Sequence, residues 1–211
     1  MQTKEIKLCR KSLRGAAHVC AFFNSDEEKY RAILPFVKDG IEEGEKAFHM
    51  VDPERLHFHL DCLSSGGIDV DRATASNQLE VMHWNETYLL DGRFDMQRMI
   101  SLVEEVIEKV RQEGYPLTRV FGAMEWALTD KPGVADVVEY ESRVNELFRK
   151  HDFIAVCAYD LRRHKAMVLM DILRTHPYVI IGGILQENPF FVPPEQFLGE
   201  LRQRKAAHAD A

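Results

Sequence analysis

His18 and Cys20 stand two residues apart in an apolar run, so a strand there would turn both side chains to one face. Cys157 lies in a second apolar run, Phe153–Tyr159, and His176 lies just before a third. Imidazole and thiolate suit a soft metal or a reactive ligand, which makes His18, Cys20, Cys157 and His176 the metal candidates of this sequence. Spacing alone does not bring them together, and the simpler reading makes both cysteines small buried hydrophobes. No metal or other cofactor is therefore assigned. Glu125, with Glu139 and Glu141, could supply paired acids. Glutamates on a helix are usually a solvated face, whereas Glu125 falls at a strand end, where a carboxylate would overhang a site.

Other chemistries find no support. A phosphate loop needs G-x-x-x-x-G-K-S/T directly after a strand, but Asn24-Ser-Asp-Glu-Glu28 follows the first strand instead. It offers no glycine, no lysine, and three acids that would repel a triphosphate. Gly40 to Lys46 holds the nearest glycine–lysine cluster, and it reads as a helix end. G-x-G-x-x-G, G-x-S-x-G and H-E-x-x-H are absent. His57 and His59 would lie on different faces of a helix. No enzyme activity is expected.

Strand and helix patterns alternate along the chain. Strands are predicted at 18–23, 46–51, 79–84, 118–126, 153–159 and 178–185. Ser25 with Glu28 forms a capping box, followed by Tyr30, Ile33, Leu34, Val37 and Ile41 at helical spacing. Pro35 should kink that helix, and Gly44 should end it. Asp52-Pro53 opens a helix that stops at Gly66-Gly67, and Asp95 opens one that stops at Gly114. Further helices are expected over 133–150 and 165–174, with a short one after Pro193-Pro194. Continuously apolar strands separated by helices indicate an α/β fold, three-layered, with a mostly parallel central sheet covered by helices on both faces. One domain over residues 1–211 is expected, with loose ends at 1–14 and 203–211, apart from a short extra strand conceivable at 4–9.

Ligands of such sheets bind beyond the carboxyl ends of the strands. That rule nominates Phe22, Phe23, Asn24, Asp52, Trp84, Tyr88, Glu125, Trp126, Tyr159 and Asp160. Aromatics would shape the cavity and a few polar groups would orient the ligand.

The 211 residues are 45% hydrophobic and 29% charged, with a net charge of -7. An acidic chain is a poor direct partner for nucleic acid. Four cysteines without a disulfide or zinc-ribbon framework suit a reducing compartment. No signal peptide and no bilayer-spanning run is apparent, so a cytoplasmic location without membrane attachment is expected.

The order of short motifs resembles the MEDS domain family, a methanogen and methylotroph sensory domain. The matching segments are His18-Val-Cys-Ala-Phe-Phe-Asn-Ser25, Val51-Asp-Pro53, Trp84-Asn-Glu-Thr-Tyr-Leu89, Asp91-Gly-Arg-Phe-Asp95 and Gly122-Ala-Met-Glu-Trp-Ala-Leu128. Tyr140-Glu141 with Asn145, Cys157-Ala-Tyr-Asp160, Leu173-Arg-Thr-His-Pro177, Asn188-Pro189 and Pro193-Pro194 complete the set, over about residues 16–202. The resemblance implies a RecA/KaiC-like core with a degenerate P-loop. It further implies a sensor of a small organic, hydrocarbon-derived ligand that signals to a histidine kinase, a transcription regulator or an anti-sigma factor. Many relatives carry a fused output domain; here none is seen, so a stand-alone sensor with a separate partner is expected, and a homodimer is left open. The family pattern leads one to expect a small polar residue at position 125; Glu125 departs from it and implies altered ligand preference. Two other readings compete: a degenerate ATPase-like adaptor without ligand, and a metal-dependent enzyme or sensor. Concentration-dependent association would mark the first and a bound metal the second.

Overall fold

The computed structural model describes residues 5–209. Its centre is a seven-stranded sheet in the order β5-β4-β6-β7-β3-β8-β9. The strands are β3 (Ala17–Phe23), β4 (Lys46–Val51), β5 (Leu79–His83), β6 (Thr118–Ala123), β7 (Phe153–Asp160), β8 (Tyr178–Ile181) and β9 (Ile184–Glu187). All neighbouring pairs are parallel except β8 with β9. Every residue of β3, β4 and β6 is buried, as expected for strands covered on both faces. The α/β, mostly parallel architecture expected from the alternating pattern is the one found.

The helices are α1 (Asp26–Glu42), α2 (Leu56–Ser65), α3 (Val70–Ala75), α4 (Met96–Gln112), α5 (Val137–Arg143), α6 (Asn145–Lys150), α7 (Ala166–Thr175) and α8 (Pro194–Ala209). Ser25 caps α1 by accepting from the Glu28 amide at 3.1 Å, and the Glu28 carboxylate reaches back to the Asn24 amide at 2.8 Å. Helix α1 continues past Pro35 to Glu42. Asp52 and Asp95 cap as their sequence positions suggested.

Register sorts the sheet's two faces. Cys20 lies beside Cys157 and His18 beside Ala155, so His18, Cys20, Phe22, Cys157 and Tyr159 share one face, which α5 and α6 cover. His49 and Phe121 are partners on the other face, which meets α1 and α2: Tyr30 of α1 and His59 of α2 both reach it.

Several boundaries depart from the sequence reading. The strand predicted over 178–185 is two, because Gly182 and Gly183 both take positive φ (59° and 71°) and fold the chain into a tight hairpin. The strand predicted to reach 126 stops at Ala123, and Met124–Leu128 forms a 3-10 turn that tucks Trp126 into the core. The single helix predicted over 133–150 breaks at Val144. The Asn145 amide donates to the Glu141 and Ser142 carbonyls at 3.0 and 3.1 Å, competing with the helical ladder there. Helix α3 was not foreseen; Asp69 caps it. The loose ends expected at 1–14 and 203–211 are strand and helix where the structure describes them, and residues 1–4 and 210–211 lie outside the described residues. Strands β1 (Glu5–Leu8) and β2 (Lys11–Arg14) form an antiparallel hairpin that buries Ile6, Leu8 and Leu13. The expected short tail helix is the 16-residue α8, anchored by buried Phe197 and by Arg204–Asp171 and Lys205–Glu139 ion pairs at 2.9 and 3.1 Å.

Candidate functional site

A polar centre is sealed between the sheet and α5–α7. His18 on β3, Glu141 on α5, Cys157 on β7 and His176 just after α7 bring one donor atom each to within 4.8 Å of one another, all buried. His18 Nε2 lies 3.2 Å and His176 Nε2 3.5 Å from Glu141 Oε2. Cys157 Sγ is 3.6 Å from His18 Nε2 and 3.9 Å from Glu141 Oε2. The Tyr159 hydroxyl donates to the other carboxylate oxygen, Oε1, at 2.6 Å. Phe148 stacks on His18 with ring centres 4.8 Å apart, and His176 tilts against His18 at 3.9 Å.

Burial dominates the electrostatics. It drives His18 and His176 down to about 3, lifts Glu141, and lifts Cys157 well above the ordinary thiol range. Burial thus opposes protonation of both imidazoles, and His18 Nε2 meets Glu141 Oε2 as a neutral ring. The four donors are close enough to share one cation.

Three of the four metal candidates thus converge, and Cys20 does not. Its thiol turns to the Tyr178 carbonyl at 3.6 Å. The fourth donor is Glu141, which a solvated helix face would have placed in water. It is fully buried instead. Its position was legible: three and four residues from Val138 and Val137, it falls on the helix's apolar stripe. A buried carboxylate needs partners, which Tyr159 and the histidines provide.

The nominated ligand residues divide. Phe23, Glu125, Tyr159 and Asp160, with Ser25, Asp26, Lys29 and Ala158, line a crevice of about 10 Å³ at the strand ends. It lies where adjacent β3 and β7 send α1 and α7 to opposite faces, the position the strand-end rule specifies. Lys29 is 3.0 Å from Asp26 and 3.8 Å from Glu125. Asp160 is held by Arg162 at 2.7 Å, which lowers its carboxyl. Tyr159 belongs to both places, walling the crevice while its hydroxyl holds Glu141. Phe22 lies beside Tyr159, ring centres 5.9 Å apart. Tyr88 and Trp126 stack at 4.6 Å beside Phe94 and Tyr140, a separate aromatic cluster. Trp84 donates to the Ala123 carbonyl at 3.1 Å. Asn24 is exposed, and Asp52 is occupied in capping.

Gly133 caps the 3-10 turn Val134–Asp136 that leads into α5. Its φ is +84°, and a Cβ there would stand 2.1 Å from the Phe94 carbonyl oxygen. Gly133→Ala is expected to cost about 2 kcal/mol or more, from a left-handed backbone plus a backbone collision. Urea unfolding measures this, and an unchanged midpoint would refute it.

Residues 17–177 match the family described as MEDS, the methanogen/methylotroph, DcmR sensory domain. The chain belongs to this family. The MEDS match contains all four donors and the whole crevice. Among relatives, the transcriptional repressor DcmR of Methylorubrum extorquens (strain DSM 6343 / CIP 106787 / DM4) is 27% identical over 163 residues, which cover 75% of this chain and 57% of that protein. The MEDS chain thus spans less than two thirds of that relative's length. Among solved structures, a KaiC-like protein of Pyrococcus horikoshii OT3 superposes with a TM-score of 0.56 at 12% identity, covering 79% of this chain and 71% of its own. A second Pyrococcus horikoshii protein, in complex with an unknown peptide, gives 0.60 at 13%, covering 79% and 77%. At such identities the likeness concerns the fold, which is RecA/KaiC-like. No helix among the described residues is long and apolar enough to cross a membrane.

Proposed function

We propose that this MEDS chain is a non-catalytic sensory domain that binds a small, hydrocarbon-derived organic molecule and passes its ligand state to a transcription regulator or kinase. The observation that carries the reading is the family match over residues 17–177, which spans the strand-end crevice and the sealed centre beneath it. A relative that is a transcriptional repressor supports a regulatory output. The connection from β3 to α1 supports the degenerate P-loop: Asn24 and Ser25 are its whole length, and Lys29 is already matched by Asp26 and Glu125. The crevice volume of about 10 Å³ is about that of one water, so a ligand must open it. Tyr159 is the side chain such an opening would move.

Exposed Met167 and Met170, on one side of α7, offer a partner apolar contact. The adaptor reading would draw on the same residues without a ligand.

A thermal-shift series with dichloromethane, short alcohols and methylamines tests the reading. A saturable rise in Tm is expected from at least one compound, reduced in Tyr159→Phe and without product formation. No shift across the series leaves the adaptor favoured, and catalytic turnover of any compound refutes the non-catalytic assignment.

A further inference from the structure

We propose that His18, Glu141, Cys157 and His176 form a closed binding site for one divalent transition-metal ion of the zinc class. The inference goes beyond the organic-ligand reading and does not depend on it.

The decisive observation is the direction in which each donor is held. The Asn145 amide is oriented by its NH₂ group, which donates to the carbonyls of Glu141, Ser142 and Thr175 at 3.0, 3.1 and 2.8 Å. Its oxygen therefore faces His18 Nδ1 at 3.2 Å, and an oxygen acceptor there requires Nδ1 to carry the proton. His176 Nδ1 lies 2.9 Å from the Ile172 carbonyl, which likewise can only accept. Both imidazoles thus turn an unprotonated Nε2 inward, and both point at the same carboxylate oxygen, Glu141 Oε2. Tyr159 occupies the other oxygen. Two ring lone pairs, a carboxylate oxygen and a sulfur facing one point form a set of acceptors without a cation between them. A single proton on Glu141 can satisfy one imidazole, and among the described residues His176 Nε2 has no hydrogen-bond partner. One metal ion satisfies all four.

The spacing agrees. Tetrahedral zinc with nitrogen and oxygen ligands at about 2.0–2.1 Å and sulfur at about 2.3 Å separates its donors by roughly 3.3–3.6 Å. Four of the six donor separations, 3.2, 3.5, 3.6 and 3.9 Å, lie within a few tenths of an ångström of those tetrahedral edges, and all six are within 4.8 Å, so the donors need close in only slightly around an ion. Two neutral imidazoles, one carboxylate and one thiolate around a divalent cation give a net charge of zero, the condition under which a sealed site tolerates ions. The outer contacts of Asn145, the Ile172 carbonyl and Tyr159 are the kind that fix ligand tautomer and orientation at metal centres. Four protein donors with no open position describe a structural or regulatory ion rather than a catalytic one.

The test uses the full, untagged chain, stripped with chelator under reducing conditions and dialysed against Zn²⁺ or Co²⁺. One equivalent of zinc per chain by elemental analysis is expected, with a rise in Tm. Co²⁺ should show the absorption of a tetrahedral complex with a thiolate charge-transfer band. Cys157→Ser should abolish that band and weaken binding at least tenfold; Glu141→Gln, close in shape, should weaken it comparably, and Cys20→Ser should leave both unchanged. Substoichiometric metal in the wild type, or full binding in both Cys157→Ser and Glu141→Gln, overturns the proposal. Far-UV circular dichroism of each variant separates lost ligation from lost fold. Metal binding without any organic-ligand shift would leave this site standing while the sensory reading failed, and the reverse holds equally.

Discussion

Acidification from pH 7 to pH 5 should remove about 4 kcal/mol of stability through two histidines on the sheet face remote from the sealed centre. Tyr30, His59 and His49 form a buried chain, with Tyr30 Oη 2.8 Å from His59 Nδ1 and His59 Nε2 2.9 Å from His49 Nδ1. Burial drives His59 down to about 4 and His49 well below the ordinary range, the neighbouring imidazole adding to the second. In the unfolded chain both titrate near 6.5. Between the folded and unfolded values the unfolded state binds more protons, so stability rises with pH. It is fully present above about 6.5 and is lost as pH falls toward the folded values. At pH 5 each histidine still neutral in the fold costs about 2 kcal/mol relative to the unfolded chain. That total is a large share of the roughly 5–15 kcal/mol that holds an ordinary domain together. Urea midpoints measured from pH 7.5 to 5 should fall steeply for the wild type. The slope should flatten by about this amount in the H49Q/H59Q double variant, and parallel slopes would contradict neutral burial of the pair.

Asn145→Ala should destabilise the chain by about 3 kcal/mol and uncouple His18 from its tautomer. The side chain makes four buried contacts: one to His18 and three to carbonyls on α5 and at the end of α7. Truncation leaves those groups without partners in a site that water does not reach, at about 1–3 kcal/mol for each that stays unsatisfied, partly relieved by relaxation. With His18 free to flip, Zn²⁺ affinity should fall by about 10–100-fold, the usual penalty for losing an outer contact of a metal ligand. Unfolding and metal titration on the same variant check the two effects separately. Stability lost with affinity unchanged would show that Asn145 braces the helix break without orienting His18.

Local signals in the sequence accounted for much of the scaffold. The apolar runs of β3, β4 and β7 and the caps at Ser25, Asp52 and Asp95 act over a few residues, so their outcome is written in the neighbouring letters. The same runs placed His18, Cys157 and Tyr159 on strands, and motif order implied the family that the match over 17–177 establishes. What the sequence did not determine required partners distant in the chain. Asn145 interrupts its helix because its side chain finds carbonyls on α5 and α7. Cys20 and Cys157 are register partners, yet only Cys157 faces Glu141, because α5 descends on the β7 side and leaves Cys20 to the Tyr178 carbonyl. Hydrophobic periodicity specifies which residues leave water. Which buried polar groups meet is decided by sheet order and helix placement: the apolar stripe could bury Glu141, but only the packing of α5 on β3 and β7 set it among the other three donors.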